Sequence, residues 1–263
     1  MRKIDFWCLK HKLLAFILLT FSLTFCGGLI LYLLSAPVWA LIVYAVLTLL
    51  LNLVYVNFCY AKGVQNAIVD FNNCDPYPLY EIGEKVLPYV KGINEQELIL
   101  NKTSSLFCMG EYEKMLEILE GLNIDKIAGT PIQYKIVYYN NLAGAYESLG
   151  RMEDAAANYK KVKRLCNDAP PKIKENYKNV TISAEVFELK ASGRYDEALK
   201  LNEEKTQNDL LQKIDTAMER AELFIAMNQY EKAKLSLKFV YMNANKTYYV
   251  KKAQDMYNEL EAL

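Results

Sequence analysis

Two long apolar stretches near the beginning of the chain constrain its fold more strongly than any other feature. Residues 13–36 and residues 38–61 contain no charged side chain. As helices rising about 1.5 Å per residue, each would reach roughly 36 Å, enough to cross a hydrocarbon core of about 30 Å. Pro37 lies between them and interrupts helix formation. The pattern therefore predicts an antiparallel transmembrane hairpin, in which Gly27 and Gly28 permit close contact between the helices.

The charges that flank the apolar stretches predict the orientation of the hairpin. Arg2, Lys3, Lys10 and Lys12 precede the first stretch, and Lys62 follows the second. Because basic residues stay on the cytosolic side, we expect a two-span protein of the cell membrane with both termini cytoplasmic. A cleaved secretory signal peptide is the alternative for the first stretch, although its apolar run is longer than is usual for such peptides. In that case the second span alone would anchor a cytosolic domain.

The rest of the chain differs in charge and composition. Of 31 basic and 31 acidic residues, four basic and one acidic lie before residue 61, so acidic residues outnumber basic ones by three beyond it. A nucleic-acid-binding face needs clustered cations, which this part lacks, so we expect no nucleic acid partner. The six cysteines include no CxxC pair. This spacing favours free thiols in a reducing compartment over a disulfide framework or a zinc site.

A helical pattern recurs in this second part. Its clearest copy consists of Tyr139, Leu142, Ala143 and Tyr146, then Gly150, then Ala155 and Tyr159. Weaker copies surround turn positions at Gly110, Gly193 and Asn228, in the phrases GEYEKM, GRYDEAL and NQYEKAK. The pattern resembles the tetratricopeptide (TPR) repeat, a helix–turn–helix unit of 34 residues. Turn positions at 110, 150, 193 and 228 give longer and less regular spacings than that family has, so the expected array is TPR-like.

These observations predict an all-α protein, a transmembrane helical hairpin followed by a TPR-like α-solenoid. Its expected parts are a basic tail (1–12), the two-helix hairpin (13–61), a hinge with N-terminal capping helices (62–95), and the repeats with a C-terminal capping helix (96–263). The hinge is expected at Asp75-Pro76-Tyr77-Pro78, because prolines interrupt regular structure. Capping helices are expected at 77–90 and 247–260, since the ends of a repeat array need covering.

The resemblance to TPR proteins implies a concave groove that binds another protein or a peptide. The family's groove positions, carried onto this sequence, are Phe107, Asn140, Glu147, Ser148, Phe187, Lys190, Asp215, Met218 and Glu222. Apolar groups beside carboxylates at these positions suggest a ligand with an apolar face and some basic character. The alternative for any single position is an ordinary solvated helix residue. The expected function is a membrane-anchored adapter or scaffold; the alternative is a membrane-organising structural protein that self-associates through its repeats.

Motifs of enzymes do not appear in the sequence. It contains no HExxH, GxxxxGK[ST], GxSxG or CxxC, and it has a single histidine. We therefore expect no enzymatic activity, no catalytic residue, no metal site and no cofactor; the alternative is a membrane-tethered enzyme, since all-helical catalysts can lack short motifs. Three N-x-T sequons begin at Asn101, Asn179 and Asn245. In a cytosolic domain they would never meet the glycosylation machinery, so we interpret them as accidental.

Overall fold

The computed structural model describes residues 12–262, which form helices and no strand. The prediction of an all-α chain is confirmed. The chain divides into two compact units, Met1–Val69 and Asp70–Leu263. The basic tail predicted at residues 1–12 lies outside the described residues except for Lys12.

The first unit contains helix α1, Lys12–Leu33, and most of helix α2, Val38–Asn72. Both helices are long and apolar enough to cross a membrane, judged by length and composition alone. The second helix runs to Asn72 rather than ending near residue 61. No proline interrupts residues 62–72, and the single Gly63 does not end a helix in this context. The segment predicted as hinge and caps therefore begins with a continuation of α2.

Hydrogen bonds between described residues join the helices of this hairpin. Asn52 Nδ2 donates to Thr20 Oγ1 at 3.3 Å, and the Tyr44 hydroxyl donates to the Leu23 carbonyl at 2.8 Å. A Cβ on Gly27 would lie 1.9 Å from the Tyr44 hydroxyl, whereas nothing lies within 4 Å of a Cβ on Gly28. Only the first of the two glycines therefore makes the close contact that the sequence predicted.

The second unit contains the remaining helices. They are α3 (Tyr77–Val86), α4 (Ile93–Met109), α5 (Tyr112–Leu122), α6 (Ile132–Ser148), α7 (Met152–Asp168), α8 (Pro171–Asn176), α9 (Lys178–Ala191), α10 (Tyr195–Glu203), α11 (Leu210–Ala226), α12 (Tyr230–Asn243) and α13 (Tyr249–Glu261). Short 3₁₀ turns occur at Leu87–Tyr89 and Ile124–Lys126. The consecutive helices that contact each other include the four pairs on either side of the predicted turns, namely α4 with α5, α6 with α7, α9 with α10, and α11 with α12.

The turn within each pair has the same geometry. Gly110, Gly150, Gly193 and Asn228 all have positive φ angles, between 57° and 79°. The amide of the residue after each of them donates to the carbonyl five positions earlier, as from Arg151 to Tyr146 at 2.8 Å. This is the Schellman ending of a helix, in which glycine or asparagine takes the left-handed conformation. The four predicted turns thus each connect two helices, while membership of the TPR family stays a prediction.

Small and large residues alternate where the best copy of the pattern packs. Ala143 and Ala155 are fully buried, and Tyr139, Tyr146 and Tyr159 are each at most 8 % exposed. A side chain of one methyl group lets neighbouring helix backbones approach, and the aromatic rings fill the space beside that contact. These residues therefore belong to the core of the second unit.

The beginning and the end of the second unit meet. The amide of Lys246 donates to the Cys74 carbonyl at 3.1 Å, and the amide of Tyr248 donates to the Cys108 carbonyl at 2.8 Å. The Lys246 side chain also forms an ion pair with Asp75. The segment expected to be a hinge is consequently bonded to the turn before α13. The helix expected as a C-terminal cap is α13, and this turn holds its start beside α4.

Candidate binding cavity

Two adjoining cavities in the second unit share part of their walls, and we name them the first and second lobe of the binding cavity. The first lobe has a volume of about 360 Å³ and the second of about 620 Å³. Helices α4, α6, α9, α11 and α13 all contribute to the wall. The residues that line both lobes are Phe107, Asn140, Asn141, Ser183, Asp215 and Tyr249. Volumes of this size are typical of sites for small molecules or for single side chains of a partner.

Eight of the nine residues predicted to form a groove line this cavity. They are Phe107, Asn140, Glu147, Ser148, Lys190, Asp215, Met218 and Glu222. Met218 is only 3 % exposed and therefore offers little surface. Phe187, the ninth predicted residue, lines neither lobe. It is 7 % exposed, and its ring lies 4.8 Å from the ring of Tyr159, because a large aromatic ring gains more from burial between helices than from solvent contact.

A chain of ion pairs crosses the first lobe. Lys190 Nζ lies 3.3 Å from Glu147 Oε1 and 3.1 Å from Glu222 Oε2. Lys252 Nζ, from α13, lies 2.8 Å from the other oxygen of Glu222. The hydroxyl of Tyr159 donates to Glu147 Oε2 at 2.8 Å. These contacts bring together α6, α7, α9, α11 and α13, so the network joins the helices as well as lining the cavity.

The pairing shifts the titration of its members. Burial alone would lower the pKa of Lys190, but the nearby carboxylates of Glu222 and Glu147 outweigh it and raise that pKa. Burial alone would raise the pKa of Glu222, but Lys190 and Lys252 outweigh it and lower that pKa. Both groups are therefore charged at neutral pH, because each is held by opposite charges in a partly dehydrated site.

A second ion pair connects the two lobes. Lys205 Nζ, which lines the second lobe, lies 2.7 Å from Glu219 Oε2, which lines the first. The side chain of Lys205 is 2 % exposed, and Asn202 also donates to the same carboxylate. Burial raises the pKa of Glu219, against the lowering effect of Lys205. Because the Lys205 side chain is almost completely buried, removing either partner of this ion pair would leave a buried charge without a counter-charge.

Polar groups without internal partners face the part of the cavity that the lobes share. Asn140 and Ser183 line both lobes, and the described residues provide no hydrogen bond to either side chain. Asn141, by contrast, donates to Thr103 Oγ1 at 3.2 Å and to Ser104 Oγ at 3.0 Å. The free amide and hydroxyl can therefore bond to a ligand or to water without disturbing the core.

Several wall residues escaped prediction from sequence. Tyr249 and Lys252 lie on α13, and nothing in the sequence places that helix beside α4. Glu219 had a usable signal, since it lies four positions after Asp215 and three before Glu222 on the same helical face. Among residues 12–262, no three His, Cys, Asp or Glu side chains are grouped so as to hold a metal ion. The cavity chemistry is that of hydrogen bonds, ion pairs and aromatic contacts.

Comparisons with protein-family models, with curated proteins and with solved structures give no match for this chain.

Proposed function

We propose that this protein is a membrane-anchored adapter that binds a segment of another protein in the cavity of its second unit. One observation carries the proposal. Five helices converge on the wall that the two lobes share, and this wall presents Asn140 and Ser183, two side chains with no hydrogen-bond partner among residues 12–262. Unsatisfied polar side chains in a cavity of this size are suited to bind the backbone and side chains of an extended peptide.

The succession of helix pairs supports the same function. Four helix–turn–helix units with identical turn geometry agree with a TPR-like solenoid, and proteins built in this way commonly bind peptides on their inner face. In this proposal the first helix of each pair supplies the binding wall and the second helix covers the outside. Helix α13 adds Tyr249 and Lys252 to this wall.

The two apolar helices of the first unit support attachment to a membrane. In the proposed arrangement both cross the cell membrane, and the basic residues near the N-terminus and Lys62 keep both ends of the chain in the cytoplasm. Asn52 and Tyr44 bond across the hairpin, as polar side chains do between helices in lipid. The bound partner would thereby be held at the membrane surface.

The test uses the full-length protein in lipid nanodiscs as bait for a library of random heptapeptides displayed on phage. Asn140→Trp places a large ring in the part of the cavity that both lobes share. Lys160→Trp is the matched control, because Lys160 is exposed on α7 and lines neither lobe. We expect the wild type and the control to enrich the same peptides and the Asn140→Trp variant to lose them.

Enrichment that is absent, or that is unchanged by Asn140→Trp, would overturn the proposal. The mass of the purified protein, which shows whether it is a monomer or an oligomer, then separates the remaining explanations. A stable closed homo-oligomer would support a membrane-organising protein that self-associates, whereas a monomer that binds no peptide would contradict both functions.

A further inference from the structure

The charges of the cavity wall do not balance. The wall carries five carboxylates and three ammonium groups, on Glu147, Glu175, Asp215, Glu219, Glu222, Lys190, Lys205 and Lys252. Each lysine forms an ion pair with a wall glutamate. Within the described chain, Asp215 and Glu175 have no lysine or arginine nitrogen within 4.0 Å. Glu175 is exposed, so water solvates it, but Asp215 is only partly exposed and lines both lobes.

The surroundings of Asp215 leave one side of its carboxylate open. The Tyr249 hydroxyl donates to Oδ1 at 3.0 Å, and no residue of the described chain donates to Oδ2. An ionised carboxylate accepts about four hydrogen bonds, so most of its capacity is unused by the protein. In a partly dehydrated site, a charged donor satisfies such a group more strongly than a neutral one. The geometry therefore selects a cation as the group that completes this site.

Aromatic rings border the same space. Phe107 and Tyr249, like Asp215, line both lobes. The faces of aromatic rings attract ammonium and guanidinium groups, and their apolar surface contacts the methylene stem of a basic side chain. Lys190 and Lys252 are already bonded to Glu222 and so do not compete strongly for Asp215. A carboxylate next to two rings is thus equipped to hold a cationic side chain rather than a second anion.

We infer that the cavity binds a basic side chain, lysine or arginine, of the partner segment, with its cationic group paired to Asp215 beside Phe107 and Tyr249. This inference rests on the proposed function, because it names the part of the partner that enters the same cavity. It also assigns a role to Asp215 that differs from the structural ion pairs around Lys190 and Lys205. The partner segment is therefore predicted to contain a lysine or arginine at the position that enters the cavity.

The test measures the affinity of peptides selected on the full-length wild type in nanodiscs. We expect the selected sequences to share one lysine or arginine, and exchange of that residue for norleucine or citrulline removes the charge with little change of shape. Asp215→Asn keeps an acceptor for the Tyr249 hydroxyl while removing the charge. Glu175→Gln is the matched control, because Glu175 is an exposed carboxylate of the second lobe with no ion-pair partner in the described chain.

The expected result is a double-mutant cycle with strong coupling. The charged peptide should bind the Asp215→Asn variant at least about tenfold more weakly than wild type, since charge-assisted pairs contribute this much when partly buried. The neutral peptide should bind both proteins equally, and Glu175→Gln should change affinity less than about twofold. Selected peptides without a shared basic residue, or a basic residue whose contribution ignores Asp215→Asn, would overturn this inference and leave the adapter function intact. If no peptide is selected at all, the proposed function fails and this inference fails with it.

Discussion

Lys190 is the residue whose removal tests the cavity network most directly. Its Nζ atom lies 3.3 Å from Glu147 and 3.1 Å from Glu222, and it is the only cation within 4.0 Å of Glu147 in the described chain. Lys190→Met keeps the length of the side chain and removes the charge. Glu147 then retains only the hydroxyl of Tyr159, while Glu222 keeps Lys252. One carboxylate is therefore left without a counter-charge in a partly dehydrated site.

The magnitude follows from the exposure of the three side chains. Breaking an exposed ion pair costs at most about 1 kcal/mol, whereas removing one partner of a fully buried pair costs about 3–5 kcal/mol. Lys190, Glu147 and Glu222 have side chains that are 24 %, 27 % and 28 % exposed. Because these side chains are mostly buried, we expect the free energy of unfolding to fall by about 2–3 kcal/mol, a value between those limits. For a unit of this size, this lowers the melting temperature by roughly 4–12 °C.

The assay is thermal unfolding of the full-length protein in detergent micelles, followed by circular dichroism at a helix-sensitive wavelength. The apolar helices keep their backbone hydrogen bonds in the micelle, so the transition reports the second unit. The control is the double variant Glu147→Gln with Lys190→Met, which removes the stranded charge and should recover at least half of the lost stability. A melting temperature of Lys190→Met equal to wild type, or a double variant less stable than the single one, would refute the reasoning.

Three further predictions concern the hairpin, the pH dependence and the topology. Gly27→Leu should displace the Tyr44 ring and so increase the distance between the hairpin helices or widen its distribution. Gly28→Leu should leave that distance unchanged. Both are measured by double electron–electron resonance between spin labels on α1 and α2. An equal effect of both changes would contradict the contact. Because the pKa of Glu222 is lowered on folding, its stabilising contribution is present above its unfolded pKa of about 4.3 and is lost as the pH falls through the folded value. The stability difference between wild type and Glu222→Gln, measured by urea unfolding, should therefore be present at pH 7 and vanish in acid; a difference that grows in acid would show the opposite sign. Translation in the presence of microsomes should leave the exposed sequon at Asn245 unglycosylated, because the second unit stays on the cytosolic side, and a glycan there would reverse the proposed topology.

Local features of the fold could be predicted from the sequence because they depend on neighbouring residues. The charge-free stretches on either side of Pro37 give two long apolar helices. The glycines at 110, 150 and 193 and the asparagine at 228 end helices, since these residues adopt positive φ at low cost. The groove positions that the resemblance to TPR proteins implied include eight of the residues that line the cavity.

Contacts between distant segments were decided only by the tertiary structure. The sequence indicates a helix near the C-terminus, but it is the folded structure that places the start of α13 beside α4, where the amide of Tyr248 donates to the Cys108 carbonyl. Asp215 gains its partner Tyr249 from 34 positions away, and Lys190 gains Glu147 and Glu222 from 43 and 32 positions away. Helical periodicity says which side of a helix a residue occupies and nothing about which helix it will face. Whether Phe187 enters the cavity or the core, and whether the cavity is open or enclosed, therefore depends on how the helices pack, because burial and charge pairing are gained only once distant segments meet.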